Sequence, residues 1–166
     1  MTEQTSIANV LAKTKANWPE SNSQISPEIL RIHRISAHCQ QNLSLVLSPY
    51  GLQVAEFSVL ETIRKEKLPY SLTPTELSRA MLFSSGGLTK VLNRMDKAGL
   101  IQRIENPNDK RGKLVQLSES GQKLIGEIIV KLHTTEQRKF NVLNLEEKEQ
   151  LNYLLNKILR VWEEDA

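Results

Sequence analysis

The sequence predicts a mainly α-helical protein built around a winged helix-turn-helix, and three observations support that prediction. Between Thr73 and Gly121, two short capped helices precede two strand-like segments and the start of a third helix. Long helical patterns of apolar residues lie on both sides of this stretch. Residues 81–115 also contain seven Lys or Arg against three Asp or Glu, whereas the whole chain has a net charge of only +3.

Composition places the chain among ordinary globular proteins. Its 166 residues suffice for one packed domain with helical extensions, and a content of 39% hydrophobic and 25% charged residues is typical of that class. No apolar run approaches the ~18 residues that span a bilayer, and the first residues do not resemble a signal peptide. We therefore expect a cytoplasmic protein without a membrane partner.

The flanking helices follow from capping residues and apolar periodicity. Residues 1–25 form an N-terminal extension in which at most two turns of helix are expected. A long helix is predicted over residues 26–50, with Ser26 as its N-cap, and Ser118 caps the first of two further helices. The helices within 26–50 and 118–163 are long and apolar, with little else in the chain to cover them. We therefore expect them to be dimerisation helices.

Residues 53–117 are predicted to be the winged lobe of a single domain that spans residues 1–166. The capping box Thr73-Pro74-Thr75-Glu76 starts a short helix. Ser84 or Ser85 is expected to cap the next helix, which Gly99 ends. Alternation of apolar and polar residues then predicts a two- to three-stranded β wing, with strands at residues 100–104 and 113–117.

The helix that follows Ser84 has two chemically different faces. Its apolar side consists of Leu88, Val91, Leu92 and Met95. The opposite side displays Ser85, Gly86, Thr89, Lys90, Asn93 and Arg94. A helix that enters a major groove needs such side chains for base edges and phosphates, and the free N–H groups near Ser84 favour a phosphate. Double-stranded DNA is therefore the predicted partner.

The loop between the two strands adds a second basic element. It offers Lys110, Arg111 and Lys113, and an arginine at a loop tip can enter a minor groove. Asp109 is expected to stabilise this wing by pairing with a nearby arginine, of which Arg94 is one candidate. Either basic patch alone would be read as an ordinary solvated surface. Their combination with the helix-turn-helix order favours DNA binding.

These residues resemble the MarR family of bacterial transcriptional regulators. The similarity is carried by TPTELSRAMLFSSGGLTKVLNRMDKAGLI and by the wing NPNDKRGKLVQLSESG, which holds the family's Asp-x-Arg pattern as Asp109-Lys110-Arg111. YGLQVAEFSVLETI resembles the family's second helix, and the match covers about residues 27–162. Leu117-Ser118 stands where the family usually has Leu-Thr, a mild departure because serine caps a helix equally well.

The resemblance implies a homodimer whose first and last helices intertwine. Its two lobes would read half-sites of a pseudo-palindromic operator about one helical turn, ~34 Å, apart. The helix from Ser84 would then lie in the major groove and Arg111 in the flanking minor groove. The resemblance also implies a pocket for a small aromatic or phenolic effector, which would release a repressor from its operator by shifting the spacing of the lobes.

Two other classes of function were weighed against this regulator. A winged-helix protein-interaction module without specific DNA binding is the alternative, and it would use the basic wing on an acidic partner. An enzyme is not expected, because the sequence holds no nucleophile–base pair, phosphate loop or metal constellation. For the same reason no cofactor is predicted.

Several residues have an ordinary and a functional interpretation. His33 and His38 are five residues apart, a poor spacing for two metal ligands on one helix face, so these and His133 are interpreted as surface or interface histidines. Cys39, the only cysteine, is expected to be a buried structural thiol. Side chains that could line an effector pocket, or simply belong to the core or surface, are Trp18, Tyr50, Phe57, Tyr70 and Phe83, with Arg31, Arg34 and Arg64.

Overall fold

The computed structural model describes residues 5–81, 87–107 and 112–164, and it confirms a mainly α-helical fold with a small antiparallel sheet. The described helices are α1 (Ile7–Asn17), α2 (Pro19–Asn22), α3 (Pro27–Leu47), α4 (Val54–Arg64), α5 (Pro74–Ala80), α6 (Leu88–Lys97), α7 (Glu119–Phe140) and α8 (Leu145–Glu164). The strands are β1 (Ser71–Leu72), β2 (Ile101–Glu105) and β3 (Lys113–Leu117), and a 3-10 turn covers Ser48–Tyr50.

The chain divides into two compact units, Met1–Gln53 and Val54–Ala166. The assignment of residues 1–166 to a single domain, with a winged lobe over residues 53–117, stays a prediction. In the part of the chain that is described, no single helix is long and apolar enough to cross a bilayer. Only Pro27–Tyr50 and Val54–Arg64, taken as a pair, meet the required length and composition.

The first unit contains α1, α2 and α3. Helix α1 has 11 residues, so the expectation of at most two turns was wrong. Ser6 explains its length, because the Ser6 side chain accepts a hydrogen bond from the Asn9 N–H and caps the first turn. Helix α1 ends at Trp18, which precedes the Pro19 that begins α2.

The second unit is organised around α4. This helix is buried on nearly all sides, and it contacts α5, α6, α7 and β3. Its Phe57, Leu60 and Ile63 are each 2% exposed or less. They form a core with residues from the surrounding elements: Leu77, Met95, Ile101, Val115, Leu117, Ile125 and Ile128.

The sheet has three strands in the order β1-β3-β2, all antiparallel. Strands β2 and β3 form the predicted hairpin, with Arg103 opposite Val115 and Glu105 opposite Lys113. Strand β1 is the third strand, which the prediction of a two- to three-stranded wing allowed but did not locate. Its two residues are too few for a visible alternation, and pairing with β3 is what makes them a strand.

Helix α5 begins at the predicted capping box. The Thr73 hydroxyl accepts from the Glu76 N–H at 3.2 Å, and the Thr73 N–H donates to Glu76 Oε2 at 2.9 Å. The hydrogen bond from the Thr73 N–H, and then that from its hydroxyl, lower the pKa of Glu76. The carboxylate is therefore the form that the helix start stabilises.

Helix α6 begins later than the sequence suggested. Its N-cap is Gly87, with φ of 89° and no side-chain cap, so the prediction that Ser84 or Ser85 caps it was wrong. A φ of that sign cannot belong to a continuous helix, and glycine is the residue that adopts it at least cost. Ser84, Ser85 and Gly86 themselves lie outside the described residues.

Helix α7 starts against the corner that joins α6 to β2. The Ser118 and Ser120 hydroxyls each donate to the Gly99 carbonyl at 2.6 Å, and the Ser118 N–H donates to Leu100 O at 3.2 Å. A Cβ on Gly121 would lie only 2.1 Å from Leu100 O. The end of α6 and the start of α7 are thus held in close backbone contact, which only glycine at position 121 permits.

Helix α8 has 20 residues and none of them is buried. Asn144 caps its first turn, since the Asn144 side chain accepts from the Glu147 N–H at 2.9 Å. Its apolar side chains stand exposed, with relative exposures between 43% and 66%: Leu154, Leu155, Ile158, Val161 and Trp162. Among the described residues of the second unit, no side chain buries this apolar stripe.

Candidate nucleic-acid interface

Helix α6 separates its residues cleanly into two faces. Val91, Leu92 and Met95 are buried, and α6 packs on α4 and β2. Thr89, Lys90, Asn93 and Arg94 are all exposed. At about 100° per residue, these four cover an arc of about 140° on the side away from the core. The predicted outer face is therefore present for every member that the structure describes.

Arg94 is the most constrained of these four residues. Its Nε donates to Glu56 Oε1 on α4 at 2.6 Å. The Glu56 side chain is 7% exposed, whereas the Arg94 side chain is 49% exposed. One edge of the guanidinium is thus tied to a buried carboxylate, and the remainder of the side chain reaches the outer face. The pair also fixes how α6 lies on α4.

Asn93 also has a partner, on the neighbouring strand. Arg103 Nη2, from β2, donates to Asn93 Oδ1. On the other side, Arg103 Nε lies 3.9 Å from Asp96 Oδ2, one turn further along α6. The Arg103 side chain, 35% exposed, therefore bridges two residues of α6 at the edge of its outer face.

The base of the wing is described, but its tip is not. Lys113 is exposed and stands opposite Glu105 in the β2–β3 ladder. Its positive charge therefore faces a carboxylate across the hairpin. Asp109, Lys110 and Arg111 lie outside the described residues, and so does the proposed pairing of Asp109 with an arginine.

Sequence reasoning missed Glu56 and Arg103. Glu56 was overlooked because a helical glutamate is normally exposed to solvent, whereas α4 is buried on nearly all sides. Arg103 could have been found from strand alternation. It shares a strand face with Ile101, which is buried, so its side chain leaves the sheet on the side of α6.

The residues considered as candidates for a sensor, an effector pocket or a metal site are not shown to form one. Cys39 is half-buried, not buried as expected. Phe57 belongs to the core, Trp18 is largely exposed, and the Arg64 guanidinium lies 4.4 Å from the centre of the Tyr70 ring. Over residues 5–81, 87–107 and 112–164, no three His, Cys, Asp or Glu side chains are grouped in a way that could hold a metal ion.

A buried three-helix lobe, a three-stranded wing and an exposed polar helix face define a protein of the winged helix-turn-helix class. The MarR family model matches residues 50–112. The multiple antibiotic resistance protein MarR of Escherichia coli strain K12 is 34% identical over 151 residues, covering 84% of this chain and 99% of that protein. The transcriptional repressor MprA of the same strain is 30% identical, covering 80% and 76%.

Solved structures agree with these relatives. A mutant of E. coli MarR, crystallised in complex with operator DNA, matches with a TM-score of 0.65 and 34% identity, over 82% of this chain and 96% of that one. The chain belongs to the MarR family of DNA-binding transcriptional regulators. The resemblance inferred from the sequence is thereby confirmed.

Proposed function

We propose that this protein is a homodimeric transcriptional repressor that binds a pseudo-palindromic operator and is released from it by a small aromatic effector. The observation that carries the proposal is the outer face of α6. Thr89, Lys90, Asn93 and Arg94 are exposed together, whereas the opposite face of the same helix is buried in the lobe. Such a helix can enter a major groove without disturbing the core.

The charge of this face suits a polyanion. Lys90, Arg94 and Lys97 lie on α6, and only Asp96 is acidic between Leu88 and Lys97. Cations on one face supply the phosphate contacts that dominate affinity, while Thr89 and Asn93 have the hydrogen-bonding groups that distinguish bases. The E. coli MarR structure with operator DNA supports the same partner for this chain.

Two separate apolar surfaces support a homodimer. In the first unit, Ile29, Ile32 and Ile35 of α3 are 40–51% exposed. In the second unit, the α8 stripe is exposed from Leu154 to Trp162. Apolar faces of this length favour association, and a second copy offers the same surfaces in return. Two lobes then engage two half-sites, as the pseudo-palindrome requires.

The proposals of repression and of release by an effector are supported by similarity to MarR-family relatives. The relative MprA is named as a transcriptional repressor, and it is 30% identical to this chain. An effector would act by favouring a dimer whose lobes are spaced wrongly for the operator. Candidate effectors are small aromatic acids, and the measurement is the loss of a preformed protein–DNA complex on their addition.

Electrophoretic mobility shift and sedimentation test the core of the proposal. The wild-type protein should sediment as a dimer and should shift duplex DNA from the region upstream of its own gene. Lys90→Ala should weaken binding and reduce the salt dependence by about one phosphate contact, a slope change of ~0.9 in log–log form.

Lys157→Ala, on α8, is the matched control, because it removes the same charge from an exposed position outside the outer face of α6. It should leave the slope unchanged. If the wild-type protein shifted no DNA at low salt, the proposal of DNA binding would be wrong. If it sedimented as a monomer at micromolar concentration, the proposal of a homodimer would be wrong.

A further inference from the structure

We infer that Arg103 is a specificity-determining residue: by donating to the amide oxygen of Asn93 and placing a positive charge beside it, Arg103 makes Asn93 select guanine over adenine in each half-site. The inference rests on the proposed function, since it requires α6 to face base edges. It concerns two residues, one on α6 and one on β2, that the structure brings together. None of the family features identified from the sequence involves Arg103.

The orientation of the Asn93 amide follows from its partner. A guanidinium has hydrogen-bond donors only, so the group that faces Arg103 Nη2 must be the Asn93 oxygen and not its nitrogen. The Asn93 NH₂ group is then left on the other side of the amide. Within the described part of the chain, it has no hydrogen-bond partner. Asn93 is exposed, so this NH₂ group is available to a ligand.

Arg103 is itself held in place. Asp96 lies on the same side of α6 as Asn93, and its carboxylate is 3.9 Å from Arg103 Nε. The two contacts hold the guanidinium between an anion and an amide oxygen, and charge-assisted contacts of this kind are stronger than neutral ones. The strand β2 fixes the Arg103 backbone through its ladder with β3, where Arg103 pairs with Val115.

The consequence for base recognition is a change in hydrogen-bonding character. A free asparagine amide matches adenine, because its oxygen accepts from N6 and its nitrogen donates to N7. The Arg103 hydrogen bond uses one of the two lone pairs of the Asn93 oxygen and places a positive charge beside it. A second donor such as adenine N6 is therefore disfavoured at that oxygen, whereas the NH₂ group still donates. Guanine presents two adjacent acceptors, N7 and O6, in the major groove, whereas adenine places a donor beside its one acceptor. Asn93 in this setting therefore favours guanine.

Selection from a library of DNA duplexes with a randomised core tests the inference. Wild-type protein should enrich a two-fold symmetric motif, and Asn93→Ala should lose the base preference at one position of each half-site. At that position the wild-type motif should contain guanine. Arg103→Ala frees the Asn93 oxygen, so the same position should shift toward adenine, with a change of about tenfold in the guanine-to-adenine ratio.

Matched variants separate this role from a loss of charge or of structure. Lys97→Ala removes a cation from the same helix and should lower enrichment on all sequences while retaining guanine. Arg103→Lys keeps a donor-only group and should also retain guanine. Arg103→Met keeps the length of the apolar stem but removes the donors, so it replaces Arg103→Ala if that variant fails to show the wild-type far-ultraviolet circular dichroism.

The outcomes are distinct. Adenine at the Asn93 position in the wild-type motif, or guanine retained by both Arg103→Ala and Arg103→Met, would overturn the inference and leave the proposed function intact. Failure of the wild-type protein to enrich any motif would overturn both. A shift to adenine that disappears when Asn93 is also replaced by Ala establishes that Arg103 acts through Asn93.

Discussion

Helices α6 and α8 are both amphipathic, yet they present opposite faces to the surroundings. In α6 the apolar residues Val91, Leu92 and Met95 are buried, and the polar face is exposed. In α8 no residue is buried, and the apolar stripe from Leu154 to Trp162 is exposed. Amphipathicity alone therefore does not show which face is functional, because α6 buries its apolar face within the lobe and the described residues leave the apolar face of α8 exposed.

The two surfaces therefore suit different partners. A polar, cationic face gains from phosphates and base edges, since its own chain already supplies the apolar burial. An apolar stripe gains from another apolar surface, because burial of such area is the main favourable term in association. In the proposed dimer, α8 determines the spacing of the two lobes, and α6 determines which DNA sequence they bind.

The largest expected effect comes from charging the α8 stripe. Leu155→Glu combined with Ile158→Glu should convert the dimer to a monomer and weaken operator binding by about 100- to 10,000-fold, because the second half-site no longer benefits from tethering. Sedimentation velocity and mobility shift measure the two effects. Asn152→Glu with Asn156→Glu adds the same charge to exposed positions away from the stripe.

That control pair should remain a dimer with nearly wild-type affinity. A dimer that survives the changes at Leu155 and Ile158 would contradict the role assigned to α8.

The next effect tests the junction through which α7 leads from the lobe toward α8. Gly121→Ala should lower the free energy of unfolding by about 2–3 kcal/mol, because the new Cβ would overlap the Leu100 carbonyl and the backbone must move. Urea denaturation measures the change. Gly126→Ala is the matched control on the same helix, since a Cβ there meets no atom within 4 Å.

Gly126→Ala should raise the free energy of unfolding by up to ~1 kcal/mol, through helix propensity alone. Equal effects at the two glycines would mean that the contact between Gly121 and Leu100 does not constrain the fold.

The smallest effect concerns the attachment of α6 to α4. Glu56→Gln keeps the size and an acceptor but removes the charge that faces Arg94. It should lower the free energy of unfolding by about 1 kcal/mol, less than for a fully buried pair because Arg94 is half exposed to solvent. Thermal unfolding provides the measurement.

Glu61→Gln breaks a more exposed pair at the end of α4, Glu61 with Lys65 at 2.8 Å, and should cost only about a few tenths of a kcal/mol. If the two substitutions were indistinguishable, Arg94 would have to be regarded as a surface cation and not as a tie between α6 and α4.

Much of this arrangement could be predicted from the sequence, because it depends on near neighbours. The capping box at Thr73 and Glu76 and the caps at Ser118 and Asn144 each join residues three positions apart. The outer face of α6 follows from helical periodicity over ten residues. The predicted serine cap of α6 was wrong because it rested on residue type alone. The helix begins instead after Gly87, which adopts a left-handed conformation.

By itself, then, the sequence determined the order of elements, their apolar faces, the basic segment and the family. Only the tertiary structure decided which residues on the exposed face of α6 contact side chains of other elements. Arg94 meets Glu56 across 38 positions of sequence, Asn93 meets Arg103 across ten, and β1 exists because β3 lies beside it. Periodicity describes one element at a time and can give the face on which Arg103 lies, but each of these contacts depends on how two elements pack, so periodicity does not identify the partner.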